Sequence, residues 1–160
     1  MVMANEKNAD VVRRFIEDVA NGRDTDAVSD LLAEDFRLPP GPDGLDRPGL
    51  VAVLEYYFAA FPDLHYEIAD LVSDGDKVVA RVVMTGTHEG DYAGAPGTGK
   101  TFVVDEVDIF DVHDGRITGY RIVWNEWGSD ASSDSPSPDR SELAIRVRVS
   151  RPASVRVGGR

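Results

Sequence analysis

The chain has 160 residues, the length of one domain or of one domain with a tail. It contains no cysteine, which excludes disulfide scaffolds, thiol catalysis and cysteine-ligated zinc. Its 17 basic and 29 acidic residues give a net charge of −12, which opposes binding to nucleic acid. No apolar stretch approaches the roughly 20 residues of a membrane span, and the start lacks the apolar core of a signal peptide. We therefore expect a cytoplasmic protein with neither a nucleic-acid nor a membrane partner.

Composition divides the chain into three predicted parts. Residues 1–127 form a domain with enough apolar residues for a folded core. Residues 128–140 are rich in Ser, Pro and Asp, which indicates a linker. Residues 141–160 hold five arginines against one glutamate, and their composition favours a disordered basic tail. The alternation of apolar residues and arginines over 143–149 also fits an added edge strand, so two interpretations of the tail stay open.

Helical spacing dominates the first 60 residues. Apolar residues recur at that spacing from Val11 to Val19, and Asn21-Gly22 supplies a stop. A second, short helix is predicted over 27–32. Pro48 suits the first turn of a third helix, which has a broad apolar face and ends before Pro62.

Strand periodicity begins after the third helix. Residues 64–72 and 77–87 read as one hairpin, and residues 101–112 and 116–127 read as a second. Helices followed by antiparallel strands indicate an α+β fold. We expect a cone-shaped barrel in which three N-terminal helices pack on a curved, mainly antiparallel sheet.

The loop between the hairpins contains a match to a phosphate-binding motif. Residues 94–101 read Gly-Ala-Pro-Gly-Thr-Gly-Lys-Thr, which fits the pattern letter by letter. In that motif the glycine loop must open a helix, whose N-terminus cradles the phosphates. Here Thr101 leads into a β-branched, strand-like run, so we expect a connection between strands and no nucleotide hydrolysis.

Several motifs together resemble the SnoaL-like polyketide cyclase or ester cyclase domains of the nuclear-transport-factor-2-like superfamily. They are Phe61-Pro-Asp-Leu64, Gly86-Thr-His-Glu-Gly90, Pro96-Gly-Thr-Gly-Lys100 and residues 108–117. The resemblance implies a deep apolar cavity for a hydrophobic small molecule and, often, a homodimer. It also implies an aldol closure within a polyketide ester that uses no cofactor and no metal.

The resemblance further implies an acid/base carboxylate on the last strand and a histidine on the neighbouring strand. Those two positions fall at Ile122 and Asp108 in this chain. The usual pair is therefore absent, although a carboxylate stands in the histidine's position.

Strand periodicity places Glu106, Asp108 and Phe110 on one face of their strand, and Phe110 suggests that this face points inward. A carboxyl group in an apolar interior resists ionisation, so its pKa rises towards neutrality, which suits a general base. We predict Asp108 as a catalytic base assisted by Glu106. Alternatively, Glu106 is solvated or paired with Arg81 or Arg121. The opposite strand face is apolar too, which is consistent with a dimer interface.

Tyr120 shares a face of the last strand with Ile122 and Trp124. Its hydroxyl could donate to a developing enolate oxygen, or its ring could simply pack the core. We predict Tyr120 as a third catalytic residue. The residues predicted to line the substrate site are Phe58, Phe61, Phe110, Ile122 and Trp124.

The three histidines, His65, His88 and His113, lie on different elements without ligand spacing, so we expect no metal. We expect His88 to order the loop beside it and His113 to be exposed in a turn. Two Gly/Pro-rich loops, 38–45 and 89–99, are lid candidates.

Three functions fit these observations. The first is an enzyme of the cyclase or isomerase type that moves a proton next to a carbonyl group. The second is a binding module with the same fold, which the isoleucine at position 122 favours. The third is epoxide or ester hydrolysis by an acid-activated water.

Overall fold

The computed structural model describes the backbone of residues 2–124 and the side chains of residues 5–123. The predicted linker and tail lie outside these described residues. The helical elements are α1 (Val2–Arg14), its π-helical continuation (Phe15–Asn21), a 3-10 turn (Thr25–Ala27), α2 (Val28–Leu31) and α3 (Arg47–Ala60). The strands are β1 (Leu32–Arg37), β2 (His65–Asp74), β3 (Lys77–Thr87), β4 (Thr101–His113) and β5 (Arg116–Trp124). Within residues 2–124, no helix is long and apolar enough to cross a membrane.

The strands form one curved sheet in the order β1-β5-β4-β3-β2. Strands β2 to β5 pair antiparallel, as predicted, whereas β1 joins β5 in parallel. The sheet is therefore mixed and open, with β1 and β2 as its edges. This confirms the α+β prediction of helices packed on a curved, mainly antiparallel sheet.

The predicted second helix over 27–32 is wrong at its C-terminal end. Helix α2 ends at Leu31, and Leu32 is already extended and begins β1. A strand forms here instead of a longer helix because the strand buries both Leu32 and Phe36 completely, while Glu34 between them faces solvent. A short helix continued through Leu32 could not pair with β5.

The helices cover one face of the sheet, and the main core lies between the helices and that face. Its fully buried sheet residues are Val78, Ala80, Val82, Phe110, Val112 and Ile117. The side chain of Asp46 caps α3 by accepting from the Gly49 amide at 2.9 Å, and Pro48 occupies the first turn. Helix α3 therefore begins where the sequence predicts, with its apolar face on the sheet.

The loop over residues 88–100 is fastened to the end of α3. The carbonyl oxygen of Ala60 accepts from the amides of Glu89 and Gly90 at 3.0 and 2.9 Å. A Cβ atom on Gly90 would overlap the carbonyl oxygen of Ala59, so only glycine permits this approach. The loop leads directly into β4 and opens no helix, which confirms that the phosphate-motif match lacks the structure such a motif needs.

Candidate active site

A pair of buried carboxyl groups lies on the inner face of β4. Glu106 and Asp108 are only 4% and 7% exposed, and they are the only buried polar residues among those described. Their strand neighbours on β3 are Val82 and Ala80, both fully buried. The sequence prediction that these two acids face inward is therefore confirmed, and they are called the carboxyl pair below.

The carboxyl pair has no basic partner within the described residues. The alternative in which Arg81 or Arg121 neutralises Glu106 is excluded, because both arginines lie on the outer face of the sheet. Arg81 binds Asp70 and Asp105 there, at 2.8 and 2.9 Å. The Oε2 atom of Glu106 and the Oδ1 atom of its neighbour at position 108 are buried without a hydrogen-bond partner in residues 2–124.

Burial shifts the protonation equilibria of the carboxyl pair. It raises the pKa of Asp108 to about 7 and is the main reason that the pKa of Glu106 rises to about 8. The negative charge of ionised Asp108 raises the pKa of Glu106 further. The carboxyl pair therefore loses its two protons in separate steps, and once the first has left, near neutral pH, the pair holds a single proton. This is the condition in which one group can accept a proton and the other can donate a hydrogen bond.

Three tyrosine hydroxyls share this environment. Burial raises the pKa of Tyr57, Tyr66 and Tyr120, and the charge of Glu106 adds to the shift at each. All three therefore stay protonated and remain hydrogen-bond donors at neutral pH. The sequence prediction included only Tyr120 as a catalytic candidate.

Tyr66 was missed although its position could have been found from the pattern of β2. Leu64, Tyr66 and Ile68 alternate with exposed residues, so they share the inward face. The backbone of Tyr66 is also fixed from both sides by Asn21, whose amide accepts from the Tyr66 nitrogen at 2.8 Å and donates to its oxygen at 2.9 Å. This bridge ties the Tyr66 backbone on β2 to the π-helical segment.

The ring of Tyr120 packs against three other aromatic rings beside the carboxyl pair. Its ring stacks on Phe110 with the centroids 4.8 Å apart, and Phe15 and Phe36 lie at 5.9 and 6.1 Å. Phe110 is fully buried. Tyr120 thus belongs to the packed core, yet the charge of Asp108 still acts on its hydroxyl.

The other residues predicted to line the substrate site lie at different positions along the inner face of the sheet. Phe61 is buried in a second apolar cluster near the end of α3, and Phe58 contacts both this cluster and the main core. Ile122 is half-buried and pairs directly with Asp108 across β4 and β5. Trp124 pairs with Glu106 by backbone register, but its side chain lies outside those described.

The histidines and surface clefts lie away from the carboxyl pair. His113 is exposed beside Asp76, at 3.1 Å, and His88 contacts Thr98 in the loop, as predicted. Residues 2–124 contain no group of three or more His, Cys, Asp or Glu that could hold a metal ion. A cleft of about 590 Å³ lies beside Pro48 at the start of α3, and another of about 450 Å³ lies beside the β4–β5 turn. The deep apolar cavity expected from the resemblance stays a prediction.

The chain is similar to several proteins from Streptomyces species. Aklanonic acid methyl ester cyclases DauD from Streptomyces sp. (strain C5) and DnrD from Streptomyces peucetius are each 28% identical over 118 residues. These matches cover 70% of this chain and 72% and 80% of those proteins. The crystal structure of wild-type IdmH from Streptomyces antibioticus has 30% identity and a TM-score of 0.64, covering 72% of this chain and 90% of that one. TsrD from Streptomyces laurentii has 26% identity and a TM-score of 0.66, covering 75% and 89%.

The family model described as SnoaL-like polyketide cyclase matches residues 10–131, which include every element of the sheet and the carboxyl pair. The chain belongs to the SnoaL-like polyketide cyclase family.

Proposed function

We propose that the protein is a cofactor-independent enzyme of the cyclase or isomerase type, acting on a hydrophobic carbonyl compound. The observation that carries this proposal is the buried carboxyl pair on β4, in a family of polyketide cyclases. An acid whose pKa lies near neutrality is matched to removing a proton from a carbon next to a carbonyl group.

In the proposed reaction, the carboxylate of Asp108 takes a proton from the carbon between two carbonyl groups. The electrons of that C–H bond form an enolate, whose oxygen accepts hydrogen bonds from protonated Glu106 and the hydroxyl of Tyr120. The enolate carbon attacks a second carbonyl carbon, and the resulting alkoxide recovers the proton from Asp108. No atom is gained or lost, so the product is a cyclic isomer of the substrate.

The register of the sheet supports the transfer of the base from β5 to β4. The resemblance expects an aspartate at position 122, where this chain has Ile122. Ile122 stands directly opposite Asp108, and side chains at paired positions have Cβ atoms only about 5 Å apart. A carboxyl group on Asp108 can thus reach much of the space that one at position 122 would occupy.

The isoleucine at position 122 also favours a second candidate, a binding module that holds a hydrophobic ligand without chemistry. Exchange of substrate α-protons separates the two functions. We would incubate the protein in heavy water with a panel of aromatic β-keto esters and follow deuterium uptake by mass spectrometry. The enzyme proposal predicts exchange above background that disappears in Asp108→Asn and persists in the control Glu55→Gln, which changes an exposed carboxyl on α3. Ligand-induced thermal stabilisation without exchange would support the binding module.

We also propose that the active form is a homodimer that buries the outer face of the sheet. Three valines on this face, Val72, Val103 and Val123, are 63%, 71% and 51% exposed. The chain as a whole carries a net charge of −12. On this face, however, the ion pairs that the structure describes contain as many basic as acidic side chains. Their basic members are Lys77, Arg81 and Arg121, and their acidic members are Asp70, Asp105 and Asp111. A second copy could therefore approach this face without net repulsion.

A further inference from the structure

The hydroxyl of Tyr66 is a hydrogen-bond donor that the proposed reaction does not use. The hydrogen bonds described for Tyr66 within residues 2–124 go to its backbone, and its hydroxyl takes part in none of them. The hydroxyl of Tyr57 differs, because it has the Tyr92 side chain as a hydrogen-bond partner. Tyr66 faces inward and is only partly buried, so its hydroxyl is available to a ligand at the carboxyl pair.

The register of the sheet places Tyr66 and Tyr120 towards opposite ends of the carboxyl pair. The row of paired residues that starts at Tyr66 runs through Met84 of β3 and meets β4 at Val104. The row that starts at Tyr120 meets β4 at Phe110. The carboxyl pair, at positions 106 and 108, lies between these two rows. The two tyrosines also reach the pair from different sides, since β2 and β5 lie on opposite sides of β4.

The electrostatic effects agree with this placement. After burial, the largest cause of the raised pKa of Tyr66 is the charge of Glu106, whereas for Tyr120 it is the charge of Asp108. Because the effect of a charge weakens with distance, each hydroxyl lies nearer to a different member of the pair. In a flat sheet with this register the Cα atoms of Tyr66 and Glu106 would be about 12 Å apart, and both side chains extend inward across that interval.

One helical segment ties together the two strands that carry these hydroxyls. Strand β2 is an edge strand, yet both backbone polar groups of Tyr66 are bound by Asn21, at 2.8 and 2.9 Å. Asn21 ends the π-helical segment, and Phe15 at its start packs against Tyr120 with the ring centroids 5.9 Å apart. Irregular helical turns of this kind are frequent at functional sites. The segment therefore fixes the backbone of β2 relative to that of β5.

The proposed ring closure creates negative charge on two oxygen atoms in turn. The enolate oxygen is stabilised by Glu106 and Tyr120. When the enolate carbon attacks the second carbonyl group, the electrons of that C=O bond move to its oxygen, which stays an alkoxide until Asp108 returns the proton. A donor directed at this second oxygen lowers the barrier to closure but does not affect removal of the α-proton.

We propose that the Tyr66 hydroxyl donates a hydrogen bond to the carbonyl oxygen that the enolate attacks, and so is a catalytic residue for ring closure but not for proton removal. Tyr66 keeps its own proton throughout, because Asp108 supplies the proton of the product hydroxyl. The substrate would then carry its second ketone towards β2. This inference rests on the proposed function for its chemistry and adds a residue for the second step.

The test uses two probes that differ only at the second carbonyl group. Methyl 3-oxo-3-[2-(2-oxopropyl)phenyl]propanoate, the ketone probe, can close a ring between its active methylene carbon and its side-chain ketone. In methyl 3-oxo-3-(2-isobutylphenyl)propanoate, the isobutyl probe, a methyl group replaces the ketone oxygen, so only α-proton exchange is possible. Mass spectrometry follows deuterium uptake by the isobutyl probe and formation of the cyclic product from the ketone probe, with or without subsequent loss of water.

We expect Tyr66→Phe to exchange the isobutyl probe at the wild-type rate but to close the ketone probe about 10²-fold more slowly. The matched control Tyr56→Phe removes the hydroxyl of an exposed tyrosine on α3, which accepts from the Ala93 amide, and should leave both rates unchanged. Closure at the wild-type rate in Tyr66→Phe would overturn the inference. Exchange and closure that slow equally would overturn it too, because that is the result of a merely structural role.

Binding measurements separate this inference from the proposed function. By calorimetry, the wild type should bind the ketone probe about tenfold more tightly than the isobutyl probe, and Tyr66→Phe should lose this preference. A Tyr66-dependent preference without any exchange in the wild type would refute the enzyme and leave Tyr66 as a donor to the ligand. Exchange without a preference or a Tyr66-dependent closure would refute the role of Tyr66 alone. Neither exchange nor preference would overturn both.

Discussion

Replacing either member of the carboxyl pair by its amide should stabilise the protein, and the gain should grow with pH. In the unfolded chain both acids ionise at their ordinary pKa values, 4.5 for Glu106 and 3.8 for Asp108. In the folded protein burial keeps them protonated up to about pH 8 and about pH 7. Between these limits the folded state binds more protons than the unfolded state, so the free energy of unfolding falls as pH rises.

The magnitude follows from the pKa values. Each pH unit in this window costs about 1.4 kcal/mol of stability per buried group. For Glu106 alone, the loss between pH 5 and pH 8 is about 4 kcal/mol. Glu106→Gln never ionises and avoids this loss, so its stability relative to the wild type should rise by about that amount over the same interval.

Urea denaturation at half-unit steps from pH 5 to pH 9 measures this difference directly. Subtracting the wild-type curve from that of Glu106→Gln cancels the contributions of the other acidic groups. Asp105→Asn, on the exposed face of the same strand, is the matched control and should give a difference that does not rise with pH. A flat difference curve for Glu106→Gln would mean that this carboxyl ionises as it does in water, and the reasoning from burial would fail.

Three further predictions follow from the geometry of the sheet. Tyr120→Phe should fold normally, because the stacked ring is kept, but should slow α-proton exchange by about 10²-fold; an unchanged exchange rate by mass spectrometry would remove Tyr120 from the mechanism. Ile122→Asp should add a third buried acid opposite Asp108 and move the onset of exchange to higher pH, because a second negative charge disfavours ionisation of Asp108; an onset at lower pH would contradict the register argument. Val103→Asp should convert the dimer to a monomer in sedimentation equilibrium, and a dimer that persists would exclude the outer face around Val103 as the interface.

The fold was largely predictable because each antiparallel strand carries its own alternating pattern. Strand β1 was not, because its two buried residues, Leu32 and Phe36, are separated by Glu34 and Asp35, which break the alternation. Its parallel pairing with β5 joins segments that are about 80 residues apart, and no local pattern reports such a contact.

The site was predictable where one strand was enough to define it. Phe110 revealed the inward face of β4, and the carboxyl pair followed from that face. Tyr57 was missed as a site residue because it lies on α3 and approaches the pair only through tertiary packing. The alternation of β2 was enough to place Tyr66 on the inner face, but not to show that it lies near the pair.

The central claim is that Asp108 acts as an ionised base while Glu106 remains protonated. The pH dependence of α-proton exchange, measured as kcat/KM for an aromatic β-keto ester, tests it most directly. The account predicts a bell-shaped profile with its maximum between about pH 7 and about pH 8, set by ionisation of Asp108 on the acidic side and of Glu106 on the alkaline side. Glu106→Gln should lose the alkaline limb and keep the acidic one, while Asp108→Asn should show no exchange at any pH. A profile that keeps both limbs in Glu106→Gln, or exchange that survives in Asp108→Asn, would contradict it.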